Sequence, residues 1–187
     1  QILRGIPVEK YNYQQMRRLL WGIGLHFAKP WPQTKDGDWF IDVRDEGKNY
    51  DENALGYHST SELRYHTDGT NMVALLCLQK AREGGESSIV SSAAIYNRML
   101  ENRPDLLDVM YEGYPHDRRG AQPDGEPRLA PWKLPVFSFL NGRFICVYDR
   151  KPSEWGRNLA GEPFTKVDHA AFDFIDALTQ NEDFRLD

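Results

Sequence analysis

Apolar residues recur at helical spacing in some stretches of the chain and in short unbroken runs in others. Met16, Leu19, Leu20 and Ile23 lie three and four apart, which predicts an amphipathic helix over residues 12–24. Gly22 and Gly24 weaken its last turn and suit a helix end. Ser92 reads as the N-cap of a second helix running to about Asn102, and Pro104 restarts a helix through Met110. Thr165, with Asp168 three residues on, caps a final helix whose apolar face carries Phe172, Ile175 and Leu178. The unbroken runs predict strands. Residues 4–8 and 39–43 are short candidates. Residues 72–78 are apolar throughout, as in a strand buried on both faces, and residues 88–90 begin another. Residues 136–140 and 144–148 flank Asn141-Gly142-Arg143, a strong hairpin signal. Residues 114–128 are rich in Gly, Pro, Asp and Arg and read as a long loop. Strands mixed with helices, without a βαβ rhythm, give an α+β class with an antiparallel sheet core and helices outside it.

Composition narrows the partners more than the fold. The 187 residues correspond to about one domain, residues 1–187, long enough to bury about 70% of the unfolded surface without a staple. Twenty-three Lys and Arg against 28 Asp and Glu leave a net charge of −5, which argues against a nucleic-acid partner, since such proteins present a basic face. A hydrophobic content of 40%, with 12% aromatic residues, argues against disorder. The longest apolar run, Met72 to Leu78, is far short of a membrane span, and the first residues carry no signal-peptide pattern. The expectation is a cytoplasmic protein acting on a small-molecule substrate, with no nucleic acid and no membrane, and with a homo-oligomer left open. Cys77 and Cys146 sit in apolar runs and read as buried thiols of a reducing compartment.

The chemistry concentrates at His66-Thr67-Asp68. On an extended backbone, residues i and i+2 share a face, so an imidazole and a carboxylate converge. One more histidine would complete a two-His, one-carboxylate facial triad, the geometry of non-haem Fe(II) oxygenases. Taken alone, the three residues fit an ordinary loop in which Asp68 or Thr67 caps a turn.

The surrounding order changes that reading. Glu62-Leu-Arg-Tyr-His66-Thr-Asp68-Gly-Thr is followed by the apolar run 73–78, then by Gly84-Gly-Glu-Ser-Ser-Ile-Val-Ser-Ser92 and a helix. This order resembles the taurine dioxygenase-like (TauD/TfdA) family of Fe(II)- and 2-oxoglutarate-dependent oxygenases, from Arg4-Gly-Ile-Pro7 through the hairpin to the last helix. The resemblance implies a double-stranded β-helix, a jelly-roll core with flanking helices. It implies Fe(II) on His66 and Asp68, with 2-oxoglutarate and O2 as cosubstrates. It also implies oxidation of a C–H bond with release of succinate and CO2. Ser87 falls where the family has a Thr that bonds the cosubstrate carboxylate, and Ser88 is its neighbour. A serine hydroxyl can donate the same bond.

Substrate contacts are read more broadly. Tyr65 and Asn71 flank the metal segment, and Asn71 stands where relatives acting on small sulfonates have an aromatic residue. Arg118-Arg119 in the polar segment either hold an anionic substrate or form a solvated loop, and Tyr57 and Trp39 are aromatic candidates. The family supplies its second histidine and an arginine after a helix like that at 164–178, where this chain stops. His26, His58, His116 and His169 are not read as substitutes, His116 coming nearest to one. The chain is therefore expected to be truncated at its C-terminus, and its Met-less start points the same way. A complete chain would instead be a catalytically silent jelly roll that binds a ligand or partner.

Overall fold

A computed structural model describes residues 2–34, 36–47, 59–118 and 122–186. The chain divides into two compact units, Gln1–Asp42 with Thr70–Glu86 and Val43–Gly69 with Ser87–Asp187.

The first unit is built on one helix, α1 (Tyr13–Leu25). Asn12 accepts from the Gln15 backbone while the Gln15 side chain returns to the Asn12 N–H, so a reciprocal capping box fixes the start. Met16 is buried, and Leu19, Leu20 and Ile23 are half-buried. The strand expected at 4–8 is absent: a 3₁₀ turn at Val8–Lys10 follows Pro7, which has no N–H to donate to a ladder. The strand expected at 39–43 is also absent. Its rings pack instead on the helix, with Trp39 edge-on to Trp21 at 5.3 Å and Phe40 under the Arg17 guanidinium at 4.5 Å. The run at 72–78 forms no ladder and is largely exposed. An apolar run becomes a buried strand only when a neighbour satisfies its backbone, and no described residue pairs with this one. Cys77 is correspondingly exposed, whereas Cys146 is half-buried and burial pushes its thiol up to about 12.

The second unit holds the core. Its elements are β1 (Ile89–Val90), α2 (Ser92–Asn102), α3 (Leu107–Glu112), β2 (Tyr114–Asp117), β3 (Leu129–Leu134), β4 (Phe137–Leu140), β5 (Arg143–Cys146), α4 (Arg150–Leu159), α5 (Lys166–Gln180) and β6 (Arg185–Leu186). The strands pair antiparallel as β1–β6, β2–β3 and β4–β5. The class is thus mixed α and antiparallel β. Among the described residues the strands form three separate two-stranded ladders rather than one continuous jelly-roll sheet. Ser91, one residue before the expected cap, accepts from Ala94 to start α2. The hairpin forms as predicted: Asn141 and Gly142 both take positive φ, 51° and 74°, which the right-handed twist of a two-residue turn requires.

One element of this unit departs from the sequence reading. Within the polar segment at 114–128, Tyr114–Asp117 is a strand rather than loop, because its polar residues are satisfied internally. Asp117 is buried and takes both its oxygens to Arg128, at 2.7 Å each. Helix α4, in a stretch for which the sequence predicts no element, contains Pro152 and Gly156. Pro152 sits in the first turn, where no backbone donor is needed, and Gly156 lets the helix touch β2.

Helix α5 closes the core. Thr165 and Asp168 form its capping box, and Phe172 and Ile175 are buried, as their spacing predicts. Phe172 meets Tyr114, Phe164 and Tyr148 at centroid distances of 5.1, 4.9 and 5.4 Å. Burying a ring of this size stabilises by about 1.5–3 kcal/mol. Asp168 is buried, which opposes its ionisation. Bonds from Thr165 and from the Tyr114 hydroxyl (2.8 Å), with Arg157 beside them, outweigh that and hold its carboxyl below the usual range.

Candidate functional site

His66-Thr67-Asp68 runs outside any ladder, yet its middle residue is fixed at two points. The Thr67 N–H donates to the Tyr148 carbonyl at 2.7 Å, and the Tyr148 N–H donates to Thr67 Oγ1 at 2.8 Å. The tripeptide is thereby clamped to the chain leaving the β4–β5 hairpin. Thr67→Val keeps the shape but leaves the Tyr148 N–H without its acceptor in a partly buried place. It is expected to cost about 1–3 kcal/mol in urea denaturation, with Thr67→Ser close to wild type. A Thr67→Val protein as stable as wild type would show that the clamp carries no weight.

The clamp sets what the flanking side chains do. His66 Nδ1 lies 2.8 Å from the Arg64 carbonyl. A carbonyl only accepts, so Nδ1 carries the proton, and in the neutral ring Nε2 holds the lone pair. That Nε2 lies 3.9 Å from Asp68 Oδ1, with both side chains partly exposed. The imidazole and carboxylate thus converge as an i, i+2 pair should. Among the described residues, no group of three or more His, Cys, Asp or Glu is placed to hold a metal ion.

Two cavities meet at His66. One, of about 200 Å³, is lined by Tyr65, His66 and Ser88 with Ile95, Phe137 and Cys146 among its apolar wall. The other, of about 320 Å³, is lined by His66 and Asp68 with Arg64, His116 and Arg150. The structure therefore groups Tyr65 and Ser88 with His66 in one cavity and Asp68 with His66 in the other. Ser87 is exposed and lines neither cavity. Asn71 is exposed in the first unit. Arg118 is tied within the β2–β3 connection, donating to Glu126 at 2.6 Å and to the Pro127 carbonyl at 2.9 Å. Of the remaining histidines, His26 ends α1 and His169 is exposed on α5. His116 is on β2 and lines the second cavity. Trp39 packs on Trp21, while Tyr57, His58 and Arg119 lie outside the described residues.

Tyr148 and Asp176 also belong to this region, and no motif points to them; Arg64 joins them from within the motif segment, where it is not read as a site residue. The Tyr148 hydroxyl donates to Asp176 Oδ1 at 2.5 Å, and burial together with that bond pushes the phenol well above its ordinary value. Tyr148 is 81 residues from Thr67 and 28 from Asp176, so no local pattern marks these partners.

The whole chain, residues 1–187, matches the model of the taurine catabolism dioxygenase TauD, TfdA family. It is 34% identical over 149 residues to the FR-33289 synthase of Streptomyces rubellomurinus, covering 79% of this chain and 43% of that protein. It is 30% identical over 160 residues to the taurine hydroxylase-like protein SAT17 of Stachybotrys chartarum, covering 81% of this chain and 40% of that protein. The matches thus span well under half the length of these relatives. The family fold is a cupin-type jelly roll and its members are oxygenases dependent on Fe(II) and 2-oxoglutarate. No described helix is long and apolar enough to cross a membrane. A match along the full chain, on a sequence whose His66 and Asp68 converge in the structure, makes this chain a member of the TauD/TfdA dioxygenase family.

Proposed function

We propose that the protein is a non-haem Fe(II)/2-oxoglutarate-dependent oxygenase that oxidises a C–H bond of a small organic molecule, releasing succinate and CO2. The observation that carries this reading is the His66 tautomer. Its Nδ1–H is spent on the Arg64 carbonyl, which leaves Nε2 as a metal donor beside the Asp68 carboxylate. An imidazole and a carboxylate are two donors of the facial triad that suits Fe(II), so the residues present fit the group. Fe(II) with 2-oxoglutarate and O2 supplies the oxidising chemistry.

The chain's own residues hold, orient and shield. His66 and Asp68 hold the metal, and the Thr67 clamp keeps them on one face. Ser88 lines the cavity beside His66, and its hydroxyl can donate to a cosubstrate carboxylate; Ser87 takes that role by its position in the family pattern. Ile89, Val90, Ile95 and Phe137 give the same cavity an apolar wall that limits water. Tyr65, Asn71 and Arg118 are carried forward as substrate contacts, Tyr65 with support from its place in that cavity. Hydroxylation is the default outcome and agrees with the name of one relative.

An anaerobic titration of the full-length protein with Fe(II) and then 2-oxoglutarate tests this. A saturable visible charge-transfer band is the expected result. Its absence would overturn the oxygenase reading in favour of a silent binding protein.

A further inference from the structure

Resting on the Fe(II) reading, we infer that Asp176 is a positioning residue for the His66–Asp68 pair, although it lies on α5 and touches neither. Its two carboxylate oxygens reach the metal segment by separate routes. Oδ1 accepts the Tyr148 hydroxyl at 2.5 Å, and the Tyr148 backbone clamps Thr67 through both its N–H and its carbonyl. Oδ2 faces the Arg64 guanidinium at 3.6 Å, and the Arg64 carbonyl is what holds His66 Nδ1. One carboxylate thus fixes two supports of the donor pair: the acceptor that sets the His66 tautomer and the anchor of the peptide between the donors.

The two routes are unequal. Tyr148 is 4% exposed and its ring stacks on Phe172 at 5.4 Å, so its bond to Asp176 lies where water competes little. The Arg64 side chain is 63% exposed and its separation from Asp176 exceeds hydrogen-bond length, so that route is screened and secondary. Arg150 locks the carboxylate from a third side, donating to Oδ2 at 2.7 Å. Asp173 offers an internal comparison. It accepts from the same Arg150 nitrogen at 2.7 Å and has no other partner among the described residues. Both aspartates neutralise Arg150, and of the two it is Asp176 that connects to Tyr148 and Arg64.

The test compares Asp176→Ala, Asp176→Asn and Asp173→Ala in the full-length protein by anaerobic Fe(II) titration and thermal unfolding. The ¹⁵N resonances of the metal-free His66 ring are read in parallel. Asp176→Ala is expected to weaken Fe(II) binding several-fold, less than the roughly 10–100-fold that follows loss of a direct partner of a metal ligand. Asp176→Asn keeps an acceptor for Tyr148 and recovers part of the loss, and Asp173→Ala binds like wild type. In the metal-free protein, Asp176→Ala lowers the population of His66 protonated on Nδ1. The inference is overturned if Asp176→Ala binds Fe(II) like Asp173→Ala and leaves the His66 tautomer unchanged. A wild-type protein that binds no Fe(II) overturns the oxygenase reading instead, and the tautomer measurement still decides the role of Asp176. Should Asp176→Ala not fold, Tyr148→Phe serves: it deletes one oxygen, keeps the ring on Phe172, and is expected to weaken Fe(II) binding in the same direction.

Discussion

His66→Ala is expected to abolish Fe(II) binding and leave the fold intact. On the proposed function the imidazole is one of two converging donors, so its removal should exceed the roughly 10–100-fold loss that follows removal of an outer partner of a ligand. Its structural share is small. The ring makes one hydrogen bond to a backbone two residues away and is about one-third exposed, so deleting it costs about 1 kcal/mol or less. The measurement is a paired one, anaerobic Fe(II) affinity beside urea denaturation. Unchanged affinity would remove His66 from the ligand set. Lost affinity with a lost fold would mean that the ring is a packing element. The contrast is decisive because the reading of the motif as a mere turn predicts a change in neither quantity.

The features legible in the sequence share a short range. The caps of α1 and α5 depend on residues three apart, and the Asn141-Gly142 turn on two residues. The facing of His66 and Asp68 is the i, i+2 relation of an extended backbone, legible without its long-range clamp. Each is a local decision whose physics is contained in the few residues that make it, which is why these features form at the positions expected.

The remainder is decided between segments. Tyr114–Asp117 reads as loop because Asp117 is charged, and it folds as strand because Arg128, eleven residues on, takes up that charge. Residues 72–78 read as a buried strand and are largely exposed, because an apolar run specifies a need for cover and not the neighbour that supplies it. The site divides in the same way. The His66–Asp68 pair is legible, while the clamp at Tyr148 and the carboxylate of Asp176 arrive from 81 and more residues away. No spacing rule reaches that far.

Gly156→Ala is the substitution expected to damage the fold most for its size. A Cβ at this position would lie 1.9 Å from the Pro115 carbonyl oxygen and 2.7 Å from its carbon. Both contacts are with backbone, so no rotamer can relieve them, and α4 must move away from β2 by roughly 1 Å or more to restore ordinary contact. Alanine favours a helix over glycine by about 1 kcal/mol, which opposes the clash but does not match it. Overpacking against backbone falls at the upper end of the usual range, about 3 kcal/mol. For a chain of this length that lowers Tm by roughly 6–12 °C. The displaced strand carries Asp117, whose bidentate bond to Arg128 would be strained, and His116, which lines the cavity shared by His66 and Asp68. Fe(II) affinity should therefore fall along with stability, unlike the separation expected for His66→Ala. Gly22→Ala provides the control: this glycine is also helical, has nothing within 4 Å of where a Cβ would stand, and should be neutral or up to about 1 kcal/mol stabilising. If Gly156→Ala unfolds no earlier than Gly22→Ala, α4 and β2 do not approach this closely in solution, and the His116 wall of the cavity beside His66 and Asp68 is not held by that contact.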